Sequence, residues 1–352
     1  MSTRYLEALC HPDSIAVIGA SERTLNLGGI VLLNIKSAGF PGKLMVVNPK
    51  GYDSVHDIPC VNRVASLPLK PDMAIVCTPP TTVPSIINEL GKRKVKVAVI
   101  LTAGLTHVAS RSKRPLALSV RDQASRLGIR ILGPESMGII IPHNRLNASF
   151  MKMGIRPGKI AYIGQSVAVT NAIIDWASSR DIGFSYMTTL GDGTDIKLED
   201  LIDYFCQDRR TNAILLHIES ITSPRRYISA VRAVSRGKPV IVMKSGRFPE
   251  SQCLPIELPA GLNNVDKVYD AVLRRAGVLR VNGADEMFDA METLTRMKPI
   301  FGETLHIVGN GFGPGVIAAD RLLSLGGKLG TMSADTINEL ACVLPAYWTR
   351  RN

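Results

Sequence analysis

The sequence predicts an α/β fold of two doubly wound domains, each on a mostly parallel sheet, followed by the start of a third α/β unit. Two observations predict it. From Ser14 onward, short apolar runs bounded by Gly or Pro alternate with longer stretches whose apolar residues recur at helical spacing, the signature of βαβ units. The alternation restarts at "GKIAYIGQS" and again at "ETLHIVGNGFGPG", so the 352 residues hold more than one sheet.

The first strand is "SIAVIGAS", leading to a helix that begins near Gly28. "KLMVVNPK", "DMAIVCTPP", "VKVAVILTAG" and "IRILGPE" are the second to fifth strands, and the first domain is expected to span 1–146. The second domain, 147–295, takes its strands from "GKIAYIGQS", "GFSYMTTLGDG", "AILLHIES" and "PVIVMKSG", with helices such as "VTNAIIDWASSR" and "SPRRYISAVRAVSRG" between them. The helix "ADEMFDAMETLTRM" then leads into the third unit, 296–352. Only "ETLHIVGNGFGPG" and "GKLGTM" read as its strands, so that unit is expected to be incomplete.

Composition narrows the function. With 45% hydrophobic and 20% charged residues the chain buries sizeable cores. Its apolar runs are far shorter than the roughly 20 residues that span a bilayer, so no membrane segment is expected. The six cysteines, Cys10, Cys60, Cys77, Cys206, Cys253 and Cys342, are scattered without metal-ligand spacing, which suits a reducing cytoplasm and no metal site. A net charge of +12 attracts polyphosphates. In the densest basic stretch, "SRSKRPLALSVRDQASRLGIR", the charges lie among helix-spaced apolar residues, which reads as a solvated helix face and not as a nucleic-acid groove.

In a doubly wound sheet, ligands collect at the carboxyl ends of the strands near the switch point, where turns and helix N-termini offer N–H groups to phosphate. Gly19, Ala20 and Ser21 follow the first strand, and Gly28 with Gly29 opens the next helix. The spacing does not match GxGxxG, and "VNPK" lacks the acidic residue that an NAD ribose would need. Lys50 instead stands where an extra ribose phosphate, as on coenzyme A or NADP, would be neutralised; read alone it is equally a solvated turn residue. The third strand ends in Thr78, Pro79 and Pro80 and the fourth in Leu101, Thr102 and Ala103, turns that suit an extended ligand or an ordinary helix entry.

Taken together, "PDSIAVIGAS", "VNPK", "PDMAIVCTPP", "VILTAG" and "ILGPESMG" resemble, in order, the coenzyme A-binding domain of NDP-forming acyl-CoA synthetases and succinyl-CoA synthetase α subunits. The resemblance implies a Rossmann-like CoA-binding domain, then a flavodoxin-like, succinyl-CoA synthetase-like domain. It adds Gly133 and Pro134 of "ILGPESMG" to the expected CoA or acetyl-CoA site. In the second domain it implies that a histidine in an "SHTGA"-like loop takes phosphate from an acyl phosphate, supported by a glutamate that Glu219 matches. Counted back from "VYDA", the histidine's position falls on Leu258, which has no lone pair to attack phosphorus. Val167 in "QSVA" stands where the family has a glycine. His217 reads as a packed strand residue and Ser166 as a helix cap.

The missing histidine, with "LNASF", "AVTNAIIDWA" and "GFSYMTTLGD", makes the chain resemble the regulatory N-terminal region of the Pat-type bacterial protein lysine acetyltransferases, a degenerate synthetase-like segment that senses CoA or acetyl-CoA. On that reading the ending "LPAYWTRRN" marks a truncated or frameshifted product, inactive alone, before the ATP-grasp and GNAT domains. The alternative is the α subunit of an active ADP-forming acetyl-CoA synthetase, an acid–thiol ligase working with a separate ATP-grasp β subunit. A second alternative is an NADP-dependent reductase, for which no hydride-transfer constellation is found. The implied partners are CoA or an acyl-CoA, and either the ATP-grasp β subunit or a second copy of the chain.

Overall fold

A computed structural model describes residues 3–108, 114–152, 154–247, 266–297, 302–309 and 311–345. The chain enters through α1 (Leu6–Cys10), β1 (Ser14–Ile18), α2 (Leu27–Ser37), β2 (Lys43–Val47), β3 (Ser54–Val55), β4 (Ile58–Val61), β5 (Met73–Val76), α3 (Val83–Lys92), β6 (Val97–Ile100), α4 (Leu116–Leu127) and β7 (Arg130–Leu132). Every residue of β1, β5 and β6 is buried, as strands covered by helices on both faces must be. The sheet order is β3-β4-β2-β1-β5-β6-β7, Rossmann-like, with its switch point between β1 and β5. The sequence reading did not foresee the β3–β4 hairpin. Its two-residue turn, His56 and Asp57, has φ of 49° and 65°, the left-handed pair that such a hairpin demands, and strands this short carry no readable period.

The second sheet is built from β8 (Gly138–Ile141), β9 (Leu146–Ser149), β10 (Pro157–Gly164), α5 (Val167–Ser179), β11 (Phe184–Thr189), α6 (Leu198–Gln207), β12 (Ala213–Ile218), α7 (Pro224–Val234), β13 (Val240–Lys244), α8 (Asp266–Arg275), β14 (Leu279–Val281) and α9 (Ala284–Arg296). Its order, β14-β13-β12-β10-β11-β8-β9, contains the flavodoxin-like arrangement with the switch point between β10 and β12. Here the structure differs from the division expected at 146. Strand β8 pairs antiparallel with β11, and β9 with β8, so both belong to the second sheet. The physical reason is the apolar run of β8, buried at all four positions, which needs a hydrogen-bonding neighbour and finds it on β11.

Residues Met1–Arg296 form one compact unit. Its largest apolar cluster runs through both sheets, from Leu9 and Ile15 to Ile141, Tyr186 and Phe205. A charged network reinforces the junction: Arg130 on β7 reaches Asp195 and Asp200 at 3.0 Å each, and Arg226 on α7 reaches Asp200 at 3.1 Å. Asp200 is almost fully buried, which demands such pairing. The second unit, Met297–Asn352, is described by itself: β15 (Thr304–Leu305) and β16 (Lys328–Leu329) pair in parallel, with α10 (Phe312–Ser324) and α11 (Ala334–Val343). Among the described residues, no helix is long and apolar enough to cross a membrane.

Candidate functional site

The sequence-derived candidates of the first domain all lie along the carboxyl edge of the first sheet. Gly19, with φ of 96°, turns the chain directly beneath the β5 loop: a Cβ there would stand 2.8 Å from Cys77 O and from Thr78 Cγ2. Gly28 packs the start of α2 onto this turn just as tightly, since a Cβ would meet Ala20 N at 2.7 Å. Asn48 Nδ2 donates to Ala20 O at 2.7 Å, and Asn48 Oδ1 accepts from Lys50 N at 3.1 Å, which ties the β2 loop to the same turn. Lys50 is exposed, and its ammonium makes no hydrogen bond or ion pair among the described residues.

The N–H groups of Ser21 and Gly29 are not open to phosphate, because both donate to Asn26 Oδ1, at 2.9 and 2.7 Å. Asn26 is the N-cap of α2, and a capping side chain satisfies the donors that an anion would otherwise take.

The next loops line up beside this turn. Thr102 Oγ1 donates to Thr78 O at 2.8 Å, and Thr82 Oγ1 donates to Thr78 Oγ1 at 2.9 Å and to Pro79 O at 2.7 Å. Pro80 opens the turn before α3, Leu101 and Thr102 are buried, and Ala103 and Pro79 are exposed. Gly133 and Pro134, both buried, close the row after β7. Since β1, β5, β6 and β7 are successive neighbours about 4.8 Å apart, the row of loops spans roughly 14 Å from Gly19 to Gly133.

Beyond that row lies a cleft of about 560 Å³, lined by Thr106 and Glu135 of the first sheet's loops and by residues at the carboxyl edge of the second, among them Gln165, Val167, Asp192, Lys197 and Glu219. Gln165 holds its floor. It follows β10, and its Oε1 accepts from Glu219 N at 2.6 Å and Ser220 N at 2.9 Å, while its Nε2 donates to Ser220 O at 2.9 Å. This clip joins the two strands of the switch point and presents Glu219, whose carboxyl burial pushes upward in pKa against the opposing charge of Lys244. Ser166 caps α5 by accepting from Val169 N at 3.3 Å, and Val167 stands at the cleft wall. His217 is fully buried on β12, bonded through Nε2 to Ser245 Oγ at 2.7 Å, and burial together with the Lys244 charge lowers its pKa to about 4. Leu258 lies outside the described residues.

Two cleft carboxyls were not singled out from the sequence. Glu135 Oε1 accepts from Gly104 N at 2.8 Å, connecting the last loops of the first sheet to the cleft. Asp192 donates its N–H to Pro134 O at 2.9 Å, and although the residue is exposed on one side, partial desolvation in the cleft, then the charge of Glu135, raises its carboxyl pKa to about 6 against the opposing effect of His107. The signal was faint: Glu135 sits in "GPES" and Asp192 in "LGDG", ordinary turn chemistry.

Residues 13–142 match the profile described as a CoA binding domain, and residues 157–294 that of a succinyl-CoA ligase like flavodoxin domain. The α subunit of acetate–CoA ligase [ADP-forming] II of Pyrococcus furiosus is 34% identical over 99% of this chain and 75% of its own length. The chain belongs to the ADP-forming acetate–CoA ligase family. Another ADP-forming acetate–CoA ligase, from Methanocaldococcus jannaschii, is 34% identical over 97% of this chain, which spans 47% of that relative, about half its length. Among solved structures of the family, the dinucleotide forming acetyl-coenzyme A synthetase 1 of Ca. Korarchaeum cryptofilum, in complex with phosphate and ADP, superposes with a TM-score of 0.90 at 30% identity, over 99% of this chain and 74% of that one.

Proposed function

We propose that this chain is the α-type portion of an ADP-forming acyl-CoA ligase, which binds coenzyme A along the first sheet's loops and turns its thiol toward the Glu219 cleft. An ATP-grasp region, on a partner chain, supplies the nucleotide chemistry. The observation that carries this reading is continuity. The loop row from Gly19 through Thr78, Thr102 and Gly133 runs into the cleft through the Gly104–Glu135 hydrogen bond. An extended, phosphate-bearing thiol ligand fits that path, with Lys50 free to meet a phosphate at one end and a carboxyl-lined cleft at the other. The relatives named for acetate support a short carboxylic acid as the acyl substrate.

A second reading is favoured by one residue. With Leu258 at the position that the resemblance gives to the phosphate-carrying histidine, the chain would bind CoA without forming a phosphoenzyme, as a Pat-type sensing segment does. Calorimetric titration with CoA, acetyl-CoA and NADP tests what both readings share. Saturable CoA binding that exceeds NADP binding and weakens about tenfold in Lys50→Ala is expected, since a hydrogen bond to a charged group contributes about 1.5–3 kcal/mol. A folded chain that binds no CoA overturns both. Incubation with acetyl phosphate, or with ATP and an ATP-grasp β subunit, separates them: acid-labile phosphate on the chain establishes the phosphorylating ligase, and its absence with CoA binding intact leaves the sensor.

A further inference from the structure

We propose that the Asp192 carboxylate accepts the proton of the coenzyme A thiol as its sulfur attacks an acyl phosphate in the cleft. The inference rests on the coenzyme A reading above and concerns the residue that takes the thiol proton, a step that requires no histidine at position 258.

Three observations place Asp192 at the reacting end. The first is its anchorage against the end of the loop row. Gly191 has φ of 59° and would set a Cβ 1.8 Å from Pro134 O, and Asp192 N–H donates to that same carbonyl. The loop after β11 is thereby packed onto Gly133–Pro134, where a ligand laid along the first sheet arrives. The second is availability. Glu135 is engaged with Gly104 N–H and Glu199 faces Arg226, whereas the Asp192 carboxylate makes no hydrogen bond or ion pair among the described residues and keeps an open side toward solvent at the cleft mouth. The third is its titration near neutrality, which matches a proton acceptor working at physiological pH. The charged groups around it are Glu135 on the loop after β7, His107 in the segment after β6, Lys197 at the start of α6 and Arg121 on α4, with Glu219 across the cleft.

The step balances without a further reactant. The thiol proton passes to Asp192 Oδ, the sulfur electron pair forms the C–S bond to the acyl carbon, and the C–O bond to phosphate breaks. Inorganic phosphate leaves with that electron pair, and the proton returns to phosphate or solvent.

The test uses the purified chain with acetyl phosphate and CoA, following thioester formation against a protein-free control from pH 5 to 9. A rate that rises through an inflection near pH 6 is expected. Asp192→Asn should lower the rate at pH 7 by about 100-fold, the lower range for general-base catalysis, and leave only the rise due to thiol ionisation above pH ~8. Glu219→Gln should keep the inflection. CoA calorimetry on each preparation separates the two possible failures. A wild-type chain that binds no CoA refutes the ligand reading and this inference with it. Intact CoA binding refutes the role of Asp192 alone if no thioester forms above the control, if Asp192→Asn keeps the wild-type rate and profile, or if the inflection disappears in Glu219→Gln instead.

Discussion

Replacing Gly28 by alanine probes the turn that opens the first domain. A Cβ at position 28 would lie 2.7 Å from Ala20 N, 2.8 Å from Ala20 Cα and 2.9 Å from Gly19 C, all backbone atoms that no side-chain rotation can move aside. Ordinary contact begins near 3.4 Å, so α2 and the turn must part by about 0.7 Å, the difference between 3.4 and 2.7. Such overpacking costs about 1–3 kcal/mol, and the better helix propensity of alanine returns about 0.5–1 kcal/mol. The expected net destabilisation is up to about 2.5 kcal/mol, read as a lower urea midpoint at unchanged slope. The ligand effect follows from the same displacement. Parting α2 from the turn strains the 2.9 Å bond from Ser21 N–H to Asn26 Oδ1, which holds the cap to the turn. CoA affinity should fall about tenfold or more. Gly237, with nothing within 4 Å of its Cβ position, supplies the control, and Gly237→Ala should shift stability by less than about 0.5 kcal/mol. A Gly28→Ala chain with wild-type midpoint and wild-type CoA affinity would refute the close-packing argument.

Two further outcomes are expected. Gln165→Leu strands the N–H groups of Glu219 and Ser220 and the Ser220 carbonyl, and should lower stability by about 1–3 kcal/mol; Gln165→Glu keeps both accepted bonds and should cost less, so equal urea midpoints for the two would count against the clip. His217 has a folded pKa of about 4 against an ordinary 6.5, so its buried neutral form contributes stability that is complete above pH 6.5 and lost as the pH falls toward 4. The gap in unfolding free energy between wild type and His217→Leu should therefore narrow by about 3 kcal/mol over that interval, and a gap independent of pH would refute the assignment.

What the sequence by itself determined is local and periodic. Two-sided burial in a parallel sheet requires unbroken apolar runs, so β1, β5, β6, β10, β12 and β13 were legible, as were the Gly19 turn and the helix-capping role of Ser166. Lys50 and Glu219 could be placed at strand ends, because strand ends are marked by the residues that break the runs. Tertiary structure decided the rest. The transfer of β8 and β9 to the second sheet depended on which strand offered a free edge, and an apolar run does not encode its neighbour. Asn26 took the donors expected to face phosphate because its side chain reaches both the Ser21 and the Gly29 N–H and completes the helix N-terminus. Glu135 and Asp192 occupy ordinary turn sequences more than fifty residues apart. They became a pair of cleft carboxyls only when the loops after β7 and β11 packed against each other, a contact made by folding and not by any pattern along the chain.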